Sequence, residues 1–186
     1  MKRKPLIRSV AAVVLTIPLV LANAGTNEMF NTIKSLAGEW QGKKPDGENV
    51  RVTYEVVSNG SAVMERLQSE SEPVMITMYH LDGEHLMMTH YCSAKNQPRM
   101  RAAMSNEDQV IRFSFYDVTN LARPTDGHMQ KMVMTLKDKD HLVTQWTFVE
   151  DGKEHSAPFE LQRKPSFATF PRTLSSVFRE IFLTER

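Results

Sequence analysis

Strand-like segments recur ten times between residues 39 and 163, and most are joined by short polar turns. Many of them alternate apolar and polar residues, which is the pattern of a strand with one buried face. Turns such as Asn59-Gly60 and Asp82-Gly83 supply the positive φ angles that tight hairpins require. The predicted strands cover residues 39–43, 49–57, 61–68, 74–81, 85–92, 99–105, 110–118, 128–137, 141–150 and 154–163.

Ten strands joined in succession by hairpins either leave two long edges exposed or close on themselves, and closure removes the edges. We therefore predict an all-β fold, a single up-and-down antiparallel barrel of about ten strands with room for one small ligand. An open, sandwich-like sheet is the alternative. A short helix is predicted just before the barrel, over residues 28–36, from the helical spacing of its apolar side chains.

The first 24 residues have the three parts of a bacterial secretory signal peptide. Four basic residues within the first eight positions precede an uncharged, mostly apolar run, and Ala22-Asn23-Ala24 forms a cleavage site. We expect an exported protein, periplasmic or secreted, whose barrel domain spans residues 25–165. Cleavage would leave 19 basic against 22 acidic residues, a net charge of −3. This balance argues against nucleic-acid binding, which needs a basic surface.

Residues 166–186 predict a C-terminal amphipathic helix. Its apolar side chains recur at helical spacing from Leu174 to Phe182. Such a helix would pack on the barrel or across its mouth. The alternatives are contact with a partner protein or with a membrane surface through residues 171–186.

The hairpin over residues 74–92 holds the densest group of ligand-binding residue types in the chain. A two-residue turn at Asp82-Gly83 would pair Tyr79 with Leu86. Strand alternation then divides the side chains between two faces and leaves His80 and His85 on the outside. The more apolar face, which we assign to the barrel interior, holds Met75, Thr77, Tyr79, Leu81, Leu86, Met88, His90 and Cys92.

His90 is the central candidate on this face. It is either a neutral core histidine with a hydrogen-bond partner or a group that orients a ligand. Arg99, in the loop after the hairpin, either caps an anionic ligand or stands exposed at the rim. The lone cysteine, Cys92, is either a buried apolar residue or a thiol at a site. The full set of candidate ligand-binding residues is Trp40, Tyr79, Met88, His90, Cys92, Asn96, Gln97, Arg99 and Trp146.

The sequence contains no motif for a particular reaction, such as a nucleophile elbow, a phosphate loop or a zinc-protease helix. His90 and Cys92 lie two residues apart on a strand, roughly 6–7 Å at a rise of about 3.3 Å per residue, which is too far for direct proton transfer. Glu65 either points into the barrel as an acid or base or pairs at the surface. The methionine and histidine residues would suit a copper site, because thioether and imidazole groups bind copper. However, neighbouring residues on a strand face opposite sides of the sheet, so these side chains do not form one compact cluster.

The run Gly38-Glu39-Trp40 resembles the Gly-x-Trp of lipocalins, which implies that Trp40 closes the barrel floor. Further short motifs are residues 36–40 (Leu-x-Gly-x-Trp), 61–65 (SAVME), 79–83 (YHLDG), 89–92 (THYC) and 96–100 (NQPRM). Together these motifs resemble a bacterial family of exported, lipocalin-like barrel proteins that has no established activity. Nitrobindin-type haem barrels are a more distant likeness, but their glycine-rich opening is absent here, since only Gly42 follows Trp40.

These observations lead us to expect an exported protein that binds a small apolar or amphipathic molecule in a cavity lined by methionine and aromatic side chains. One alternative is an enzyme that uses the same cavity, with His90 as acid or base. The other is a haem- or copper-binding barrel that uses His90, His128 or His80. No resident cofactor is predicted.

The signal peptide leads to a direct test. When the full chain is expressed in a bacterium, the protein recovered from the periplasm or medium should begin near Gly25, because Ala22-Asn23-Ala24 is the cleavage site. Intact-protein mass spectrometry measures this. Retention of residues 1–24 in an Ala24→Lys variant is the control, and an uncleaved wild-type chain would contradict the prediction.

Overall fold

The computed structural model describes residues 18–103 and 109–165, with side chains from residue 25 onward. These residues form one α-helix, α1 (Pro18–Ser35), one turn of 3-10 helix (Ser58–Gly60) and ten strands. The strands are β1 (Gly38–Lys43), β2 (Asn49–Val57), β3 (Ala62–Ser69), β4 (Met75–Asp82), β5 (His85–Tyr91), β6 (Gln97–Ala103), β7 (Val110–Thr119), β8 (His128–Asp138), β9 (His141–Glu150) and β10 (Lys153–Arg163).

The sheet is a closed barrel in which each strand pairs with its neighbours in sequence and β1 pairs with β10. All ten pairings are antiparallel, which confirms the predicted fold class. The helix α1 begins ten residues earlier than the predicted 28–36, so it includes the last residues of the predicted signal peptide. Most of that signal peptide and the predicted helix over 166–186 lie outside the described residues.

The helix α1 covers one end of the barrel. Its side chains Phe30, Ile33 and Leu36 are buried in the same core as the inward side chains of the strands. Trp40 follows at the start of β1, fully buried, and its indole N–H donates to the carbonyl of Leu36 at 2.8 Å. Trp40 therefore lies at the closed end of the barrel, where the resemblance to lipocalins implies a floor.

Arg163, near the end of β10, holds this closed end together. Its guanidinium stacks on the Trp40 ring at 4.2 Å and donates to the carbonyls of Ser35 and Ala37 at 3.0 and 2.8 Å. The last carbonyls of a helix have no partner within the helix, and a cation beside them also complements the helix dipole. One side chain thus joins the helix, the floor and the last strand.

The β4–β5 hairpin differs from the prediction in its turn. Gly83 and Glu84 form the two-residue turn, and Gly83 has a φ of 57°. Tyr79 consequently pairs with Met88, whereas the prediction paired it with Leu86. The pairing register differs from the predicted one by two residues, so each side chain still points to the predicted face of the sheet. Tyr79, Met88 and His90 are buried in the interior, as predicted, and His85 is exposed.

The seam between β1 and β10 has four paired residues, and among the described strands only the β5–β6 pairing is shorter. This seam depends on a glycine. A Cβ added to Gly42 would overlap the carbonyl oxygen of Glu160 on β10. Because that obstacle is backbone rather than a movable side chain, the two strands can approach only when residue 42 has no side chain.

Gly42→Ala should therefore destabilise the protein by roughly 2–3 kcal/mol, the upper range for overpacking, because it forces the seam apart. Gly83→Ala is the matched control: its Cβ meets open space, so the cost should be only the left-handed φ, about 1 kcal/mol. Urea unfolding followed by circular dichroism measures both. Equal losses for the two variants would contradict the role assigned to Gly42.

Candidate functional site

A cavity of about 230 Å³ enters the barrel at the end opposite α1. The strand directions define this end, because β1 leaves α1 and runs towards Lys44, while β4 begins at Met75 and runs towards α1. Polar residues surround the mouth, namely Lys44, Glu72, His155 and Ser156. The deeper walls are formed by Leu67, Met75, His90, Met129, Trp146, Phe148, Ala157 and Phe159.

His90 contributes a deep polar group to this cavity. The strand alternation of β5 points it inward, and the side chain is 1% exposed. Its Nδ1 lies 2.9 Å from the hydroxyl of Thr77, the residue directly opposite on β4. Its ring packs against Trp146 with a centroid distance of 4.7 Å. Nε2 is buried and has no hydrogen-bond partner within the described chain.

Burial also sets the charge of His90. Desolvation lowers the pKa of its imidazole to about 4, because the interior disfavours the charged form. The ring is therefore neutral at pH 7. A base with so low a pKa is poorly suited to proton abstraction near neutral pH.

A second buried polar group, Glu65 on β3, lies two strands away from His90, with Thr77 of β4 between them. Glu65 is 3% exposed and accepts a hydrogen bond of 2.6 Å from the hydroxyl of Tyr79. The hydroxyl of Tyr54, across from Glu65 on β2, influences this carboxyl but does not reach it with hydrogen-bond geometry. Glu65 therefore points into the interior and does not pair at the surface, while its role as an acid or base stays a prediction.

The environment of Glu65 favours its protonated form. Burial raises the pKa of the Glu65 carboxyl, and the hydroxyls of Tyr79 and Tyr54 offset part of that increase. Burial likewise raises the pKa of both tyrosines well above their usual value. The three groups form a buried, hydroxyl-rich cluster that borders on Thr77, which pairs with Glu65 across the β3–β4 ladder.

The nine predicted site residues divide between the cavity and other places. His90 and Trp146 line the cavity. Tyr79 and Met88 are buried deeper in the core, and Trp40 closes the far end. Cys92 is half-buried against the core just after β5, where burial raises the pKa of its thiol.

The sequence predicts that Asn96, Gln97 and Arg99 lie in a loop, but β6 already begins at Gln97, and all three side chains have structural contacts. Arg99 points to the outer surface, where it forms a half-exposed ion pair with Asp117. Gln97 accepts hydrogen bonds from the side chains of Thr119 and Asn120. Asn96 is buried, and its amide donates to the carbonyl of Gly127 at 2.8 Å. These three residues are not among those that line the cavity in the described part of the chain.

Hydrogen bonds between two loops stabilise the mouth of the cavity. Glu48, in the β1–β2 loop, accepts hydrogen bonds from the backbone and hydroxyl of Ser71 in the β3–β4 loop. Lys44 pairs with Glu48 and lies 3.6 Å from Glu72. Hydrogen bonds from Lys44, followed by those from Ser71, lower the pKa of Glu48 to about 2. The positive charge of Lys44 is thus engaged by carboxylates of the same rim.

The histidines proposed for haem or copper do not meet. His80 contacts the carbonyl of Leu81, while His128 donates to the carbonyl of Asp126 and packs against Phe115. Within residues 18–103 and 109–165, no group of three or more His, Cys, Asp or Glu side chains could hold a metal ion. Haem and copper binding therefore stay predictions that rest on the sequence.

A larger, more open depression of about 1330 Å³ runs over the outside of β1, β2, β9 and β10. Its lining is mostly polar side chains that face solvent, such as Gln41, Arg51 and Glu160. A molecule bound there would stay largely in contact with water, whereas the interior cavity encloses it. We therefore place the candidate site in the smaller cavity.

Sequence reasoning missed the walls supplied by distant strands. Met129, Phe148 and Phe159 come from β8, β9 and β10, and Leu67 comes from β3. Alternation within the strands could have identified Phe148, Phe159 and Leu67 as inward-facing, but the bulge between Met129 and Lys131 changes the alternation along β8. Alternation could not have shown that the wall residues lie at the same depth as His90, because that depends on the stagger of the closed barrel.

In the described chain, no helix is long and apolar enough to cross a membrane.

No protein-family model matches the sequence, and no curated protein matches it. Among solved structures, a protein of unknown function from the DUF3598 family of Nostoc punctiforme has a TM-score of 0.48 and 12% identity over 72% of this chain. This chain spans about half of that protein, 49% of its length.

Two further structures match this chain over almost their whole length. Rv2717c from M. tuberculosis has a TM-score of 0.49 and 15% identity over 73% of this chain and 97% of its own. EF1p2_mFAP2b, bound to DFHBI, has a TM-score of 0.37 and 11% identity over 73% of this chain and 99% of its own. No functional assignment follows from these similarities.

The buried imidazole predicts a pH-dependent difference in stability. The pKa of His90 is depressed from 6.5 to about 4, so its contribution is present above pH 6.5 and is lost as pH falls towards 4. His90→Gln should therefore gain about 3 kcal/mol relative to wild type between pH 6.5 and 4, since one pKa unit is about 1.4 kcal/mol.

Urea unfolding at several pH values measures this difference. The control is His85→Gln, an exposed histidine on the same strand. Because the changed side chain is exposed, the stability of this variant should stay close to that of wild type. A constant offset between wild type and His90→Gln would show that His90 titrates normally in the fold.

Proposed function

We propose that this protein is an exported binding protein for a small, mainly apolar molecule held in the interior cavity. The observation that carries the proposal is the apolar cavity itself, which reaches a buried histidine and is open at the end opposite α1. Concave, largely apolar sites with a few polar groups are the usual form of small-molecule sites. The signal-peptide pattern of residues 1–24 supports the exported location.

The size of the cavity limits the ligand. A dry cavity of about 150 Å³ in another protein binds benzene, and typical ligand pockets have volumes of about 300 Å³ or more. A volume of about 230 Å³ lies between them. It suits a compound of one or two rings, or a short branched chain, rather than a long lipid.

The chemistry of the walls supports the same conclusion. Met75 and Met129 are unbranched and adaptable, so they can adjust to ligands of slightly different shape. Phe148 and Phe159 offer aromatic surface to the same space. Leu67 completes a lining in which apolar contact supplies most of the binding free energy.

Toluene and indole are suitable probes for this proposal. Isothermal titration should detect binding of at least one of them to the wild-type protein, with a micromolar to millimolar dissociation constant expected for ligands so small. Ala157→Phe should weaken that binding at least tenfold, because the new ring occupies the cavity beside Trp146.

Ala103→Phe makes the same chemical change on an exposed part of β6 and should bind as wild type does. Circular dichroism confirms that each variant is folded. Failure of the wild-type protein to bind any small apolar probe would overturn the proposal. Unchanged binding by Ala157→Phe would place the bound probe outside the cavity.

A further inference from the structure

We infer that the cavity selects neutral aromatic molecules that carry one hydrogen-bonding group, and that His90 Nε2 bonds to that group. This inference rests on the proposed function and specifies the class of ligand. Three independent features of the cavity support it: an unused ring nitrogen, the absence of a free cation among the described residues that line it, and the shape and chemistry of the walls.

The unused nitrogen supplies the polar contact. Thr77 occupies Nδ1 of His90, and Trp146 packs on the face of the ring, so Nε2 is the atom left for a ligand. Nε2 is buried and has no partner among the described residues, while His90 itself lines the cavity. A buried polar atom without a partner is costly, and a ligand that bonds to it removes that cost.

The charges around the cavity exclude an anionic ligand. Lys44 is the one lysine or arginine among the described residues that line the space, and it stands at the mouth. Glu48 and Glu72 already engage its ammonium group. A carboxylate placed beside His90 would be buried without a cation, which is strongly unfavourable. The deep end therefore accepts a neutral group.

The walls favour a ring over a chain. The side chains of Phe148 and Phe159 pack well against the face or edge of another aromatic ring. The thioethers of Met75 and Met129 also make favourable contacts with aromatic rings.

Toluene, phenol and benzoate test the inference because they share a ring and differ in the group that would meet His90. In the wild-type protein, phenol should bind about fivefold more tightly than toluene, which is the effect of one net hydrogen bond. Benzoate should bind at least tenfold more weakly than phenol. Isothermal titration at pH 7 measures all three.

His90→Leu removes the ring nitrogen and should bring the ratio of phenol to toluene affinity down to about one. His85→Leu, which alters an exposed histidine of the same strand, should keep the wild-type ratio. As a second measurement on the wild type alone, the ¹⁵N resonance of His90 Nε2 should shift on addition of phenol and stay in place on addition of toluene.

Equal binding of phenol and toluene by the wild type, or tightest binding of benzoate, would overturn the inference while leaving the proposed function intact. A phenol preference that survives in His90→Leu would also overturn it. Loss of binding for all three compounds in the wild type is a different outcome, because it removes the proposed function as well.

Discussion

The contact between β1 and β10 is the constraint on which the rest of the molecule depends. It turns ten hairpin-linked strands into a barrel, and it is possible because Gly42 lets the backbone of β10 approach. Arg163 stabilises the same seam by joining β10 to Trp40 and to the carbonyl end of α1. Without closure, the interior positions of His90 and Trp146 would not face one another.

Closure also gives the two ends of the barrel different characters. At one end, α1 and Trp40 fill the opening with apolar side chains. At the other, polar loops leave a space that reaches His90. Asn96 supports this open end, because it holds the carbonyl of Gly127, and Gly127 lies against the ring of Phe148 in the cavity wall. Asn96, which the sequence predicted as a ligand-binding residue, thus supports the cavity wall.

The sequence predicted the barrel, the strands and the inward face of β4 and β5, because alternation and turn residues are local signals. It left Glu65 ambiguous, since residues 62–67 are apolar on both faces of β3. Arg99 lies between Pro98 and Met100, both buried, so alternation along β6 already indicated its outward direction. The approach of Trp146 to His90 could not be predicted, because β5 and β9 are far apart in sequence and meet only across a closed barrel.

Burial shifts the pKa values of two interior groups in opposite directions. It lowers the pKa of His90 and raises that of Glu65, because the interior disfavours the charged form of each group. The two shifts have opposite effects on the pH dependence of stability. The stability associated with the neutral imidazole is lost as pH falls, and the stability associated with the protonated carboxyl is lost as pH rises. The two enclosed groups thus limit the stability of the barrel from both sides of the pH range.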